Sequence, residues 1–469
     1  MASFRCGPAR TIRPVTDSRP PAASGRVFRR TAGPEPLVAV HGDGATIRDA
    51  AGREYIDAAG GAIVVGVGHG RSSVAEAMAD QAGRLAYAHG SAFTTEPVEA
   101  YAREVGRYLP LNEPAIFPVS GGSEAVETAL KLVRAYHLAR GQKDRWIVLA
   151  RWGSYHGNTL GALDLSGRKP LRRPYEGWLG RFRHLSAAYP YRAGYPGANA
   201  LGTADELLAE LATAIETAEP ETVAALVLEP IVGAALGAVA PPDGYLEGVH
   251  DICHQHGVLV VADEVMTGFG RTGRWFGGDH WGLRPDIVVA AKGATSGYWP
   301  FGFAAASEWV YETVIEAGPF VHGFTYSHSP VGAAVAREVL RILEAESLVE
   351  ASATKGKRLL TSLAARLDGQ PAVGDVRGKG LLVGVELVAD VETRAPFPRA
   401  ARVTERVVAA ARERGVLVYS GTGNADGADG DTILLGPPFV VTAEQLDRIV
   451  AVVGEAIEVA VAETGAAAG

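Results

Sequence analysis

Cysteine, lysine and long apolar runs are scarce in this sequence. The two cysteines among 469 residues, Cys6 and Cys253, are too few for a disulfide framework, which favours a reducing, cytoplasmic location. No apolar run approaches the roughly 20 residues of a membrane-spanning helix. The net charge of −8 supplies no basic patch. Neither a membrane nor a nucleic acid is therefore an expected partner.

Lysine is used sparingly, and one lysine is distinguished by its position. Only 7 of the 45 basic residues are lysines, so charge in this protein is normally carried by arginine. Lys292 ends the apolar run that starts after Asp286, a place that solubility does not explain. Arginine stays protonated in proteins, whereas a desolvated lysine loses its proton readily. Lys292 is therefore suited to form a Schiff base with a carbonyl compound.

Two further apolar runs end on acidic residues. Residues 224–228 lead to Glu229, and residues 257–262 lead to Asp263. Continuous apolar runs are typical of strands that are buried on both faces of a parallel sheet. Ligands bind beyond the carboxyl ends of such strands. We therefore expect Glu229, Asp263 and Lys292 to face one ligand site.

Helical and strand patterns alternate from about residue 97 to residue 330, which predicts an α/β fold on a parallel sheet. The length of the chain favours a second domain, and the segments after residue 331 are typical of a smaller α+β lobe. The first 30 residues are rich in Arg and Pro and contain one acid, Asp17. Their prolines would break the amphipathic helix of a transit peptide, so we expect a flexible arm there.

A run of small residues at 120–125 precedes a helical pattern. Such a helix start exposes backbone N–H groups, and the helix dipole favours an anion there, so Gly122 and Ser123 are candidate phosphate ligands. Tyr155, which follows the next strand pattern, could stack on a planar ring. Thr325, in a polar loop, could donate a hydrogen bond to a phosphate. Each feature alone also fits a plain capped helix or ordinary loop packing.

Together, a Schiff-base lysine, an acid on a preceding strand, a phosphate cradle and a stacking aromatic meet the needs of pyridoxal 5'-phosphate (PLP). In this order they resemble the class III aminotransferases, a branch of the fold-type I PLP enzymes. The resemblance covers about residues 27–442, and its most specific part is the segment 259–273 followed by 285–293. It implies an α/β fold with a large domain, built on a mostly parallel seven-stranded sheet, and a smaller α+β domain.

The resemblance also implies the domain bounds. After the arm at 1–30, residues 31–75 would form the N-terminal part of the small domain. Residues 76–330 would form the large PLP-binding domain, and residues 331–469 the C-terminal small domain.

Roles for the site residues are implied in the same way. Lys292 would carry the cofactor and Asp263 would pair with its pyridine nitrogen, which makes them the catalytic residues. Thr325 would reach the phosphate of the other subunit, because the family's sites lie at a homodimer interface. The full set of implied cofactor-binding residues is Gly122, Ser123, Tyr155, His156, Glu229, Asp263, Val265, Lys292 and Thr325.

The implied reaction is a ping-pong transfer of an amino group from an amine or ω-amino donor to a keto-acid or aldehyde acceptor. Family pockets are often lined at the positions of Ile63, Phe93, Trp299 and Tyr419. Many relatives also carry an arginine just after the strand at 415–418, where it binds a substrate carboxylate. Tyr419 follows that strand here, so the arginine fork is absent. Another arginine could replace it from elsewhere in the fold.

Two other classes of enzyme remain as alternatives. An aminomutase, a decarboxylase or a lyase would use the same cofactor residues. A nicotinamide oxidoreductase is suggested by the glycines at 66–70, but that motif lacks a third glycine at the required spacing and leaves Lys292 unexplained.

A metal site is not expected. His250, Cys253, His254 and His256 are residue types that bind metals. However, they precede the strand at 257–262, where a polar helix end is the ordinary interpretation.

Overall fold

The computed structural model describes residues 27–30 and 36–466 of the chain. The predicted arm at 1–30 therefore lies mostly outside the described residues. The strands are β1 (Ala39–Asp43), β2 (Thr46–Asp49), β3 (Glu54–Asp57), β4 (Ala115–Val119), β5 (Ile147–Arg151), β6 (Arg183–Leu185), β7 (Ala187–Ala188), β8 (Ala200–Leu201), β9 (Val223–Leu228), β10 (Leu259–Asp263), β11 (Ile287–Ala290), β12 (Gly302–Ala306), β13 (Val373–Lys379), β14 (Leu382–Leu387), β15 (Val416–Leu417), β16 (Tyr419–Thr422) and β17 (Asp431–Leu435). The α-helices are α1 (Gly60–Ile63), α2 (Ser72–Arg84), α3 (Glu96–Gly106), α4 (Gly122–Ala139), α5 (Leu160–Leu165), α6 (Lys169–Arg172), α7 (Ala204–Thr217), α8 (Tyr245–Gln255), α9 (Glu308–Ala317), α10 (Pro330–Ala345), α11 (Leu348–Leu367), α12 (Val403–Glu413) and α13 (Ala443–Ala466).

The largest sheet has seven strands in the order β4-β12-β11-β10-β9-β5-β6. Strand β12 runs antiparallel to both of its neighbours, and the other pairs are parallel. The predicted α/β fold with a mostly parallel seven-stranded sheet is therefore confirmed. Because β9, β10 and β11 are parallel neighbours, their carboxyl ends meet at one edge, where ligands bind in such sheets.

The apolar runs of these strands are explained by burial on both faces of the sheet. In β10, Leu259 and Val261 pack in one core cluster, whereas Val260 and Ala262 pack in the other. Successive side chains of a strand point to opposite faces, so a strand covered on both sides must be apolar at nearly every position. The first polar side chain that ends this run is Asp263.

Two smaller four-stranded sheets complete the architecture. One has the order β1-β2-β3-β15, and the other has the order β13-β14-β17-β16. In the first, β15 pairs in parallel with β3, so an N-terminal segment and a segment near the C-terminus share one sheet. This pairing agrees with small-domain segments at 31–75 and 331–469, although the exact bounds stay a prediction.

The strand expected at 415–418 differs from the prediction. Only Val416 and Leu417 of that segment form a strand, β15, which pairs with β3, and a separate strand, β16, starts at Tyr419 and pairs with β17. The chain crosses from one sheet to the other at Val418, and no single pairing partner could continue the strand. In the described part of the chain, no helix is both long enough and apolar enough to cross a membrane.

Candidate active site

A cavity of about 380 Å³ lies beyond the carboxyl ends of β9, β10 and β11. It is lined by residues that follow these strands, by the start of α4 and by the loop after β5. Nine residues singled out from the sequence line it together: Gly122, Ser123, Tyr155, His156, Glu229, Asp263, Val265, Lys292 and Trp299. Side chains from five separate stretches of the sequence therefore meet at one place.

Lys292 stands two residues beyond β11, at the start of a tight turn. Its backbone has a positive φ of 42°, an unfavourable conformation for a residue with a side chain. The side chain faces the cavity, and loss of hydration there lowers its pKa to about 8. The charges of Asp263 and Glu229 oppose this shift, and the charge of Arg271 adds to it. A lysine with a pKa near neutrality can release and accept a proton at working pH.

Asp263 and His156 form a buried pair. The Nδ1 atom of His156 lies 2.7 Å from Oδ2 of Asp263, and both residues are only 3% exposed. The other carboxylate oxygen, Oδ1, accepts a hydrogen bond from the backbone N–H of Val265 at 3.1 Å. These two contacts orient the carboxylate at the end of β10.

Glu229, at the end of β9, accepts hydrogen bonds from the backbone of two loops. Its Oε1 accepts the backbone N–H of Tyr155 at 2.8 Å, and its Oε2 accepts that of Gly233 at 3.1 Å. Loss of hydration raises the pKa of Glu229 to about 7, while the neighbouring His156 and the two backbone donors oppose the rise. Glu229 therefore positions the loop that carries Tyr155.

The start of α4 has little space for side chains. A Cβ atom on Gly122 would lie 2.8 Å from Cγ1 of Val265, closer than real Cβ contacts allow. The Ser123 hydroxyl accepts the backbone N–H of Asn158 at 3.1 Å. The first N–H groups of a helix have no intrahelical partner, and the dipole makes this end positive. The start of α4 could therefore hold an anion, and we call it the anion cradle.

Of the four predicted substrate-pocket residues, only some lie at the cavity. Trp299 lines the cavity. Tyr419 lies close enough to Tyr155 to help raise the pKa of its phenol, behind the larger effect of burial. Ile63 is 2% exposed and Phe93 is 67% exposed, and neither lines this cavity.

Thr325 also lies outside the cavity, and it is exposed. Its predicted contact with a second subunit stays a prediction.

Sequence reasoning missed several apolar wall residues. Val64, Met266 and Phe301 line the cavity together with the named residues. Val64 follows the predicted Ile63 directly, and Met266 follows Val265, so the correct segments were identified one residue away. A sequence pattern cannot give the direction of a side chain in an irregular loop, which is where Val64 lies.

Two of the three histidines near Cys253 have protein partners. The Nδ1 atom of His250 lies 3.0 Å from the Arg284 carbonyl oxygen, and Nε2 of His254 lies 3.0 Å from Oδ1 of Asp286. These contacts join the end of α8 to the start of β11, as expected for a polar helix end.

Comparison with known proteins places these features in one family. Residues 27–457 match the family described as Aminotransferase class-III. An uncharacterised aminotransferase of Bacillus subtilis is 40% identical over 90% of this chain and 92% of its own. The putrescine–pyruvate aminotransferase of Pseudomonas aeruginosa is 34% identical over 87% of each chain. The PLP-bound structure of an amine transaminase from an uncultivated Pseudomonas species superposes with a TM-score of 0.85, at 33% identity, over 93% of this chain and 99% of that one.

Proposed function

This chain belongs to the class III aminotransferases, which use PLP, and we propose that the cavity around Lys292 is its active site. The chain is an aminotransferase, as its named relatives are. Aminomutase, decarboxylase and lyase chemistry on the same fold is not favoured by these relatives.

The observation that carries the site assignment is the position of Lys292. Its amine faces a cavity that also contains the Asp263 carboxylate and the anion cradle of α4. Among the residues that the structure describes, no carboxylate lies within ion-pair distance of Lys292. A lysine that is poorly hydrated and unpaired is a nucleophile rather than a structural cation.

The residues around the cavity fit PLP, which has a phosphate, a pyridine ring and an aldehyde. The start of α4, where a Cβ on Gly122 would fill the cradle, would hold the phosphate with Gly122 and Ser123. Tyr155 and Val265 would enclose the ring. Lys292 would bind the aldehyde carbon covalently.

In the reaction, bound PLP would draw electron density from the donor's amine carbon and so make its C–H bond acidic. When the donor's amine replaces Lys292 on the aldehyde carbon, the freed Nζ atom would take this proton as a general base and deliver it as a general acid. The Asp263 carboxylate would keep the pyridine nitrogen protonated, because a nearby negative charge favours a cation. His156 would hold that carboxylate in place, and Glu229 would hold the Tyr155 loop.

The acceptor is proposed to be a keto acid, and its carboxylate needs a cation. The arginine that many relatives carry just after the segment matching residues 415–418 is replaced by Tyr419. Arg168 is the candidate substitute, since its Nε is buried and has no hydrogen-bond partner among the described residues. Burial and Tyr419 raise the pKa of Tyr155, and the charge of Arg168 opposes them. Arg168 therefore lies close enough to act on Tyr155, although it does not line the cavity itself.

A homodimer is proposed from the exposed surface beside Thr325. Tyr326 and Tyr87 are 70% and 44% exposed, and the centroids of their rings lie 6.5 Å apart. Exposed large apolar side chains that cluster in this way are typical of an interface. A second copy of the chain would cover them and bring Thr325 towards the partner's phosphate. Sedimentation velocity would give a dimer, and a monomer at micromolar concentration would contradict this proposal.

Absorbance spectra of the PLP-loaded protein test the function directly. An amine donor added without acceptor should convert the visible band to a shorter-wavelength form, and a keto acid should restore it. Release of ammonia, or of carbon dioxide, with an unchanged band would contradict transamination. The Lys292→Ala variant is the matched control, because it should show neither change.

A further inference from the structure

The motif 270–273 contains a buried arginine that the proposed mechanism does not use. Arg271 is 2% exposed, and no ion pair joins it to a carboxylate within the described ranges. A buried charge requires compensation. Main-chain carbonyl groups compensate it by direct hydrogen bonds, and the nearby negative charge of Asp57 adds to this compensation.

Those carbonyl groups belong to three distant segments of the chain. The guanidinium of Arg271 donates to the carbonyl oxygens of Val65 at 2.9 Å, Leu381 at 3.0 Å and Pro437 at 2.7 Å. It also lies 4.6 Å from the centroid of the Phe439 ring. The planar five-donor fork of arginine can serve three acceptors at once, which the single nitrogen of lysine cannot do in the same geometry.

One of these segments forms a wall of the active-site cavity. Val64, next to Val65, lines the cavity. The following backbone N–H groups, of Gly66 and Val67, donate to the Ser296 hydroxyl at 2.8 and 3.0 Å. Ser296 lies four residues after Lys292 in the same loop. The wall segment is therefore held by Arg271 at Val65 and by Ser296 at Gly66 and Val67.

We propose that Arg271 is a positioning residue for transamination, which fixes the Val64 wall against the loop of Lys292 and thereby sets how large a donor fits. The inference rests on the proposed placement of the active site around Lys292. It assigns donor selection in part to a residue that touches no substrate. The charge of Arg271, which also lowers the pKa of Lys292, is a separate contribution that a lysine substitution would retain.

The test compares Arg271→Lys and Arg271→Met with the wild-type PLP-loaded enzyme, using isopropylamine as a small donor and 1-phenylethylamine as a bulky donor. Both variants should raise KM for the bulky donor about tenfold, the scale of a lost pocket contact. For the small donor, KM should change less than about twofold, because it does not reach Val64. Arg274→Met, an exposed arginine three residues away, is the control and should leave both values unchanged.

Ser296→Ala removes the second contact that holds the Val64 wall. It therefore tests the inference even if the Arg271 variants fail to fold. It should produce the same donor-dependent change in KM. An equal loss for both donors in all three variants, together with a lower Tm, would assign Arg271 a purely structural role and overturn the inference. Failure of the proposed function would look different, because the wild-type enzyme itself would then aminate no keto acid.

Discussion

The Nδ1 atom of His156 lies 2.7 Å from Oδ2 of Asp263, although His156 follows β5 and Asp263 ends β10. Strand β9 separates these two strands in the sheet. The contact therefore joins two strands that are not neighbours. Two donors, the His156 imidazole and the Val265 N–H, orient the Asp263 carboxylate.

This relationship predicts that Asp263→Asn separates cofactor binding from chemistry. The amide is similar in size, so PLP should still bind, but the neutral side chain no longer favours a protonated pyridine nitrogen. We expect kcat to fall by at least about 100-fold, the scale of a general acid–base contribution. Spectra and steady-state kinetics of the variant would measure the two effects, and full activity would exclude Asp263 from the mechanism.

The neighbouring acid, Glu264, is the contrasting control. Its carboxylate accepts the backbone N–H groups of Gly277 and Gly278 at 2.7 and 2.8 Å and the Thr267 hydroxyl. Glu264→Gln leaves one acceptor oxygen fewer, which should cost about 1–3 kcal/mol of unfolding free energy. Thermal unfolding should therefore change, whereas the visible band of bound PLP should not.

Lys292→Ala should abolish transamination and leave a folded protein. The side chain supplies both the covalent attachment and the proton transfer, so turnover should fall by at least about 1,000-fold. Loss of a poorly hydrated cation should not lower Tm. The measurement is turnover beside circular dichroism, and normal turnover in this variant would refute the site assignment.

The low pKa of Lys292 predicts a pH-dependent stability of the cofactor-free protein. Between the folded pKa of about 8 and the ordinary value of 10.5, the unfolded chain holds a proton that the folded chain has released. Stability from this group therefore rises with pH across that window, by less than about 3 kcal/mol. Urea unfolding at pH 8 and pH 10 should show this gain in the wild-type protein relative to Lys292→Met. An equal change of unfolding free energy with pH in both proteins would contradict it.

Alanine substitutions at two adjacent glycines of the proposed phosphate cradle should differ in their effect on PLP affinity. Gly122→Ala would force its Cβ to within 2.8 Å of Val265, so PLP affinity should fall at least about tenfold. A Cβ on Gly121 meets no atom within 4 Å, and its φ of 177° suits any residue. Gly121→Ala should therefore keep its affinity. Titration of the cofactor-free variants with PLP would measure both, and equal affinities would argue against a phosphate at the start of α4.

The proposed role of Arg168 predicts a change confined to the acceptor. Arg168→Ala should raise KM for pyruvate about tenfold or more, since a charged hydrogen bond to the carboxylate is lost. KM for an uncharged amine donor should stay unchanged. Arg84→Ala, an exposed arginine that contacts Asp80 and Gln81, is the control, and an unchanged KM for pyruvate in Arg168→Ala would contradict the proposed role of Arg168.

Much of the fold, and the grouping of the residues at the centre of the site, was predictable because both depend on local sequence patterns. Apolar runs that end on Glu229, Asp263 and Lys292 are typical of a parallel sheet, and parallel strands bring their carboxyl ends together. The small residues around Gly122 indicated a helix start that suits an anion. The strand at 415–418 was predicted less well, because it ends at Leu417, where the chain passes from the sheet that contains β3 to the sheet that contains β17.

By itself, the sequence determined the α/β class and the family, and it predicted the chemistry of the site centre, since these depend on residue type and on spacing along the chain. The tertiary structure alone decided which wall residues face the cavity, that His156 meets Asp263, and that Arg271 joins three distant carbonyl groups. Contacts of this kind join loops without periodicity and residues far apart in the chain. Their geometry is set by how the sheets and loops pack together, which no local pattern encodes.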